Sequence, residues 1–211
     1  MTATEQKRDR EDQNRHGQEK QVLLVPALLS DARELHGVMV KAFLPTLAVF
    51  EDEEINPALD PLEKVQEDIL AEDSVYYKVV LQGEERIIGG ICIWKTGERV
   101  RFIAPVFIDP VEQGKHCGTE VLRQILEGPD PFGTAQENPG EKEQALTWKL
   151  TCTLENGPLM HFYENMGFRE SGERALVNEK TTLALLQQEK VLDQAGQIGN
   201  NRYRPGRSCG G

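Results

Sequence analysis

No stretch of this chain is apolar enough to cross a bilayer as a helix, which takes about 20 hydrophobic residues; its longest apolar runs are far shorter. The first residues are charged and carry no apolar core of the kind that directs secretion, so a cytoplasmic location is expected. Cysteine is scarce: Cys92, Cys117, Cys152 and Cys209 show no close pairing, and no zinc site can be read from them. Cys92 and Cys152 fall inside apolar strand candidates, where a free thiol acts as a small hydrophobe. Positive charge is also short. Lys and Arg number 24 against 35 Asp and Glu, a formal net charge of −11. Such a surface repels nucleic acid and anionic membrane and favours cationic partners, although it is equally the surface of any soluble acidic protein. There is no internal repeat, no G-x-x-x-x-G-K-[S/T] run and hence no P-loop. Neither His36 nor His161 has a carboxylate or cysteine partner in a pattern that suits nucleophilic catalysis.

What is present amounts to one domain. A hydrophobic content of 38% over 211 residues supports a single buried core. Residues 1–20 are almost wholly polar and read as a disordered tail; 191–211 read as a flexible tail, leaving a folded domain over 21–190. Gln21–Ala27 is a strand. Asp31 with Glu34 three residues on fits a capping box, opening a helix that Pro45 should stop. Leu62–Leu70 is a short helix. Ser74–Gln82, Arg86–Trp94 and Arg99–Ile108 are strands joined by tight turns, an antiparallel meander. Thr119–Leu126 is helical, and 128–145 form a Pro/Gly/Glu-rich loop long enough to be a lid or an insertion. A strand at Leu146–Leu154, a helix at Pro158–Met166, and strands at Phe168–Val177 and Thr181–Gln188 complete the chain. The expected fold is α/β (α+β): a mixed, mostly antiparallel central sheet with helices on both faces.

Two stretches carry chemistry. From Ile103 to Glu127 the chain reads IAPVFIDPVEQGKHCGTEVLRQILE: a strand, a glycine-bearing turn, then an amphipathic helix. A turn feeding a helix N-terminus offers unpaired N–H groups and a favourable dipole to an anion, and phosphate is the expected guest. From Asn156 to Phe168 it reads NGPLMHFYENMGF, a second short helix ending in glycine.

Together these stretches resemble the GNAT superfamily of acyl-CoA-dependent N-acyltransferases. The Ile103–Glu127 stretch is similar to that family's pyrophosphate loop: Gln or Arg, two residues, Gly, one residue, then Gly or Ala. Here it runs Gln113, Gly114, Lys115, His116, Cys117, Gly118. The Asn156–Phe168 stretch resembles the family's Asn, seven-residue step, Tyr, then Gly-Phe, here Asn156, Tyr163, Gly167 and Phe168. His116 departs from the pattern, standing where the family most often has glycine; a left-handed backbone there costs a non-glycine residue roughly 1–2 kcal/mol.

The resemblance implies acetyl-CoA as cosubstrate and direct acetyl transfer to a primary amine, on a small molecule or peptide, by a monomer or homodimer. Amides from Gly114 through Thr119 would hold the pyrophosphate, with Gln113 and Lys115 beside it. Pantetheine would pair with the strand ending at Ile108, whose N–H would face the thioester carbonyl. Pro105, without an N–H, belongs off the hydrogen-bonded ladder. Tyr163 would protonate the leaving sulfur. Asn156 would hold the pantetheine arm or cap its helix. Glu51, Glu53 and Glu54 lie where the acceptor would arrive, and Glu54 is the expected base. The competing expectation is a non-catalytic acyl-CoA-binding regulatory module.

Overall fold

The computed structural model describes residues 21–133 and 145–191. Seven strands form one sheet: β1 Val22–Pro26, β2 Ser74–Leu81, β3 Ile87–Gly97, β4 Val100–Ile108, β5 Ala145–Thr153, β6 Arg169–Asn178 and β7 Thr181–Val191. Their spatial order is β1-β2-β3-β4-β5-β7-β6. Every neighbouring pair is antiparallel except β4 with β5, which are parallel. That exception follows from the crossover between them, since parallel neighbours cannot be joined by a tight turn.

Among the described residues, four α-helices cover the sheet. Helices α1 (Ala32–Phe50) and α2 (Leu62–Leu70) pack on one face around Leu35, Met39, Val65 and Phe107. Helices α3 (Cys117–Glu127) and α4 (Gly157–Asn165) pack on the other around Val121, Leu122, Trp148 and Phe168. None of the described helices is long and apolar enough to cross a membrane. The mixed, mostly antiparallel sheet with helices on both faces is the architecture expected from the sequence. The two tails and most of the long loop, 134–144, lie outside the described residues.

Two local expectations are corrected. Pro45 does not end α1, which continues to Phe50. A proline inside a helix costs about 3 kcal/mol, but here tertiary contacts hold the last turn. Phe43 packs against Phe107 with ring centroids 6.4 Å apart, and the Phe50 carbonyl accepts from Thr181 Oγ1 at 2.6 Å. The capping box at Asp31 is likewise absent from α1. Asp31 instead accepts from the Leu28 N–H and from Lys78 Nζ, while Glu34 Oε1 accepts from the Ile87 N–H at 2.9 Å. Carboxylates spaced to cap a helix are taken up by a strand and a distant lysine.

Candidate active site

A cleft opens where β4 bends away from β5. Between Ile103 and Val106, β4 carries two residues, Ala104 and Pro105, opposite the single Cys92 of β3. That extra residue is a bulge, which kinks the strand and suits a proline that has no N–H to give. The strands pair only from Val100–Phe102 to Thr147–Lys149 and then part. Asp109 donates its N–H to the Ile88 carbonyl at 2.7 Å, across the Gly89–Ile108 pair. Bonding alternates along an antiparallel ladder, so the N–H groups of Val106 and Ile108 point to the opposite edge, the one β5 has left open. The resulting cleft has a volume of about 770 Å³.

At one end Gln113 and Gly118 bring the cleft to the loop before α3, while Gly114, Lys115, His116, Cys117 and Thr119 do not line it. Gly114 (φ 74°) and His116 (φ 61°) are both left-handed. His116 therefore takes the backbone that a glycine would take at this position, despite its side chain. It is also the N-cap of α3 and makes no side-chain cap. Among the described residues, no backbone carbonyl accepts from the N–H groups of Gly114 through Thr119, and that of Cys117 lies against its own thiol; the first bond of the helix runs from the Glu120 N–H to the His116 carbonyl at 3.0 Å. Successive free N–H groups at a helix start form a concavity for an anion.

The loop is braced by its own side chains. Glu112 receives Arg86 Nη2 at 2.6 Å and Lys115 Nζ at 3.0 Å; these cations, Lys115 first, hold its carboxyl below the usual range. Gln113 lines the cleft, but its Nε2 donates back to the Ile108 carbonyl at 2.9 Å. Both Gln113 and Lys115 thus have their polar ends on the protein, the first fastening the loop to β4. Gly118 lines the cleft, where even an added Cβ would meet nothing nearer than Phe162 at 3.7 Å. Cys117 is buried with its thiol pushed up by burial, and Thr119 is exposed.

The second motif supplies the middle of the cleft. Asn156 caps α4 by accepting from the Leu159 N–H at 3.3 Å, and it lines the cleft as well. Tyr163 is only 5% exposed, wedged between Phe162 and Phe168 at ring distances of 5.3 and 6.0 Å. Its hydroxyl has no hydrogen-bond partner among the described residues, and burial, with Cys152 nearby, pushes its pKa well above that of an ordinary phenol. The Cys152 thiol, also in the cleft, is pushed up to about 12 by burial and stays protonated. Gly167 (φ 94°) ends α4, its N–H bonded to the Glu164 carbonyl, and Phe168 is fully buried core.

The far end is assembled from α1, α2 and β3. Glu54, the expected base, is exposed and does not line the cleft, and neither do Glu51 and Glu53. Glu51 pairs with Lys180 instead. The acid that faces inward is their neighbour Asp52, joined there by Asp60 and Asp68, whose carboxyls burial raises. Trp94 lines the same end, its Nε1 donating to the Ala104 carbonyl at 2.9 Å. His36 contributes to this end only indirectly, bonding the Asp60 carbonyl at 2.8 Å. Nothing in the sequence distinguishes Asp52 from the acids around it.

Solved structures share this architecture. An acetyltransferase from Thermus thermophilus is 17% identical, with 80% of this chain and 96% of that one aligned at a TM-score of 0.55. The ribosomal-protein-S18-alanine N-acetyltransferase from Escherichia coli is 12% identical, covering 87% of this chain and 100% of its own at 0.57. The PaiA N-acetyltransferase from Thermoplasma acidophilum, solved with coenzyme A, is 13% identical, covering 78% and 98% at 0.55. At such identities the likeness is one of fold. No curated protein matches the sequence. The model of the acetyltransferase (GNAT) family, however, matches residues 43–168. That span exceeds half of the chain and takes in both the loop before α3 and the turn into α4, so this chain belongs to the acetyltransferase (GNAT) family.

Proposed function

We propose that this protein moves an acetyl group from acetyl-CoA to a primary amine by direct attack. The observation that carries the reading is one continuous cleft. It runs from Gln113 and Gly118, beside the loop before α3, along the open edge of β4, past Tyr163, to a carboxylate-lined end. The residues fit the cosubstrate: unpaired donors for a pyrophosphate, a free strand edge for an amide-bearing arm, and space at Gly118. Bound there, acetyl-CoA supplies an activated thioester.

The chain does the rest. N–H groups of Gly114 through Thr119 hold the phosphates, and those of Val106 and Ile108 pair with the arm. The Ile108 N–H stabilises negative charge on the carbonyl oxygen as the amine nitrogen bonds to the carbonyl carbon. The ammonium loses one proton to solvent to become the attacking amine and a second once the C–N bond has formed. As the C–S bond breaks, Tyr163 gives its proton to the sulfur and then takes one back from solvent. Burial penalises the phenolate, so Tyr163 keeps that proton as pH rises past the ordinary phenol value of about 10. Because Cys152 remains a thiol, an acyl-enzyme through it has no support.

Calorimetric titration with acetyl-CoA, CoA and ATP tests the reading. One-to-one binding of both CoA forms, with ATP far weaker, is expected; no binding of either would end it. Tyr163→Phe should lower kcat by about 100-fold, at the low end for loss of a general acid, and leave acetyl-CoA affinity within a few-fold. Unchanged turnover would remove Tyr163 from the mechanism. A non-catalytic acyl-CoA-binding module is the second reading, favoured by the strained His116 in the loop. It predicts CoA binding with no turnover of any amine.

A further inference from the structure

We propose that Asp52 binds the acceptor's ammonium group, and that the acceptor is an amine on a hydrocarbon segment with no carboxylate beside it. The inference rests on the acetyltransferase reading above and adds the substrate class. Its first support is how Asp52 is placed. Helix α1 ends on Glu51, a non-glycine residue in the left-handed region at φ 51°. A strained backbone of this kind persists only where its surroundings over-determine it. Here the turn between β6 and β7 does so. Asn178 Nδ2 donates to the carbonyls of Phe50 at 3.2 Å and Glu51 at 2.6 Å, and Thr181 Oγ1 donates to Phe50 at 2.6 Å. The chain is thereby turned so that Asp52 is 7% exposed and lines the cleft, while Glu51, Glu53 and Glu54 face solvent.

The second support is the state of the carboxylate. Oδ1 receives Asn56 Nδ2 at 2.8 Å, and Asn56 is itself fixed by the Ala58 N–H at 2.9 Å and by Thr46. Oδ2 has no partner among the described residues. That oxygen is not sealed from solvent, so it is free to accept a charge-assisted hydrogen bond from an ammonium group in the cleft. The walls around it supply the rest of the specificity: Phe43, Phe50 and Ile55 suit hydrocarbon, and Asp60 and Asp68 share the same end. The single lysine there, Lys64, is bonded to Asp68 and lies over the Trp94 ring, 5.3 Å from its centroid. The potential left over is negative, which repels the α-carboxylate of an amino acid.

The test is thiol release from acetyl-CoA by the full chain, with 1,5-diaminopentane, phenethylamine and free lysine as acceptors. The two carboxylate-free amines should be acetylated, each with kcat/KM above that of lysine. Asp52→Asn keeps an acceptor for Asn56 and should raise KM for those amines at least ~10-fold, the loss of a charge-assisted bond. Acetyl-CoA affinity and melting temperature should not change. Glu63→Gln, which removes one exposed charge outside the cleft, controls for bulk electrostatics and should leave KM as it was. If Asp52→Asn lowers the melting temperature, Ile55→Lys at the exposed cleft wall gives the same readout, a comparable rise in KM. An unchanged KM in these cleft variants overturns the role of Asp52. Turnover of lysine matching the amines, or acetyl-CoA binding with no turnover of either amine, overturns the substrate class. Absence of acetyl-CoA binding is a different result: it removes the acetyltransferase reading, and this inference falls with it.

Discussion

The two ends of the cleft are built in opposite ways. The end proposed for phosphate is a continuous run, β4, its loop and α3, and it offers mostly backbone N–H groups. The end proposed for the acceptor joins the last turn of α1, α2 and β3, and the β6–β7 turn fastens it from 127 residues away. A site made of backbone donors needs only a particular local conformation, which a short sequence can specify. A site made of side chains needs those side chains brought together, which the whole sheet must do. One end is therefore a motif and the other a consequence of packing.

The largest effect should come from breaking a buried ion pair that lines neither end. Arg101 on β4 and Asp130 after α3 form an ion pair with both side chains 1% exposed, Arg101 Nε donating at 2.7 Å. Arg101 also holds the Gly97, Glu98 and Val100 carbonyls of the β3–β4 turn. Asp130→Ala leaves a buried guanidinium without its partner and should cost about 3–5 kcal/mol in urea denaturation. Both ends should then fail together; a loss below about 1 kcal/mol would show that they do not depend on this pair. Gly118→Trp should separate them. It should weaken acetyl-CoA binding by about 100-fold, or about 2.7 kcal/mol, since the indole must displace ligand or Phe162, with little change in melting temperature. Unaltered affinity would take the α3 loop out of the site. The smallest effect is His116→Gly. Releasing the left-handed strain gains roughly 1–2 kcal/mol, and the greater freedom of glycine in the unfolded chain offsets about 0.4–1 of it. A rise in the urea midpoint corresponding to about 0.5–1 kcal/mol is expected, with acetyl-CoA affinity unchanged or better. No rise would mean that the loop holds His116 without strain.

The order of strands and helices is legible in the sequence because each element carries its own periodicity and its own stop. The glycine turn at Gly83-Glu84 and the β-rich run before Asn156 are cases in point. Pro45 misleads because a local breaker is outweighed by contacts from β4 and β7, both distant in sequence. Asp31 and Glu34 mislead for the same reason: their capping spacing is real, but Lys78 and the Ile87 N–H compete for the carboxylates. In the site, the free N–H groups from Gly114 to Thr119 and the position of Tyr163 follow from motif spacing. The inward turn of Asp52 does not. It depends on Asn178 and Thr181, and no pattern within residues 51–54 marks which acid those residues will turn inward.

By itself the sequence determined the architecture and the turn-to-helix pattern before α3, because hydrophobic period, turn residues and a helix N-terminus act over a few residues and need no distant partner. Only the tertiary structure decided where β4 leaves β5, that His116 adopts the left-handed backbone, and that Asp52 rather than Glu54 lines the cleft. The last of these is set by contacts with Asn178 and Thr181, far away in the chain, which no local preference within residues 51–54 encodes.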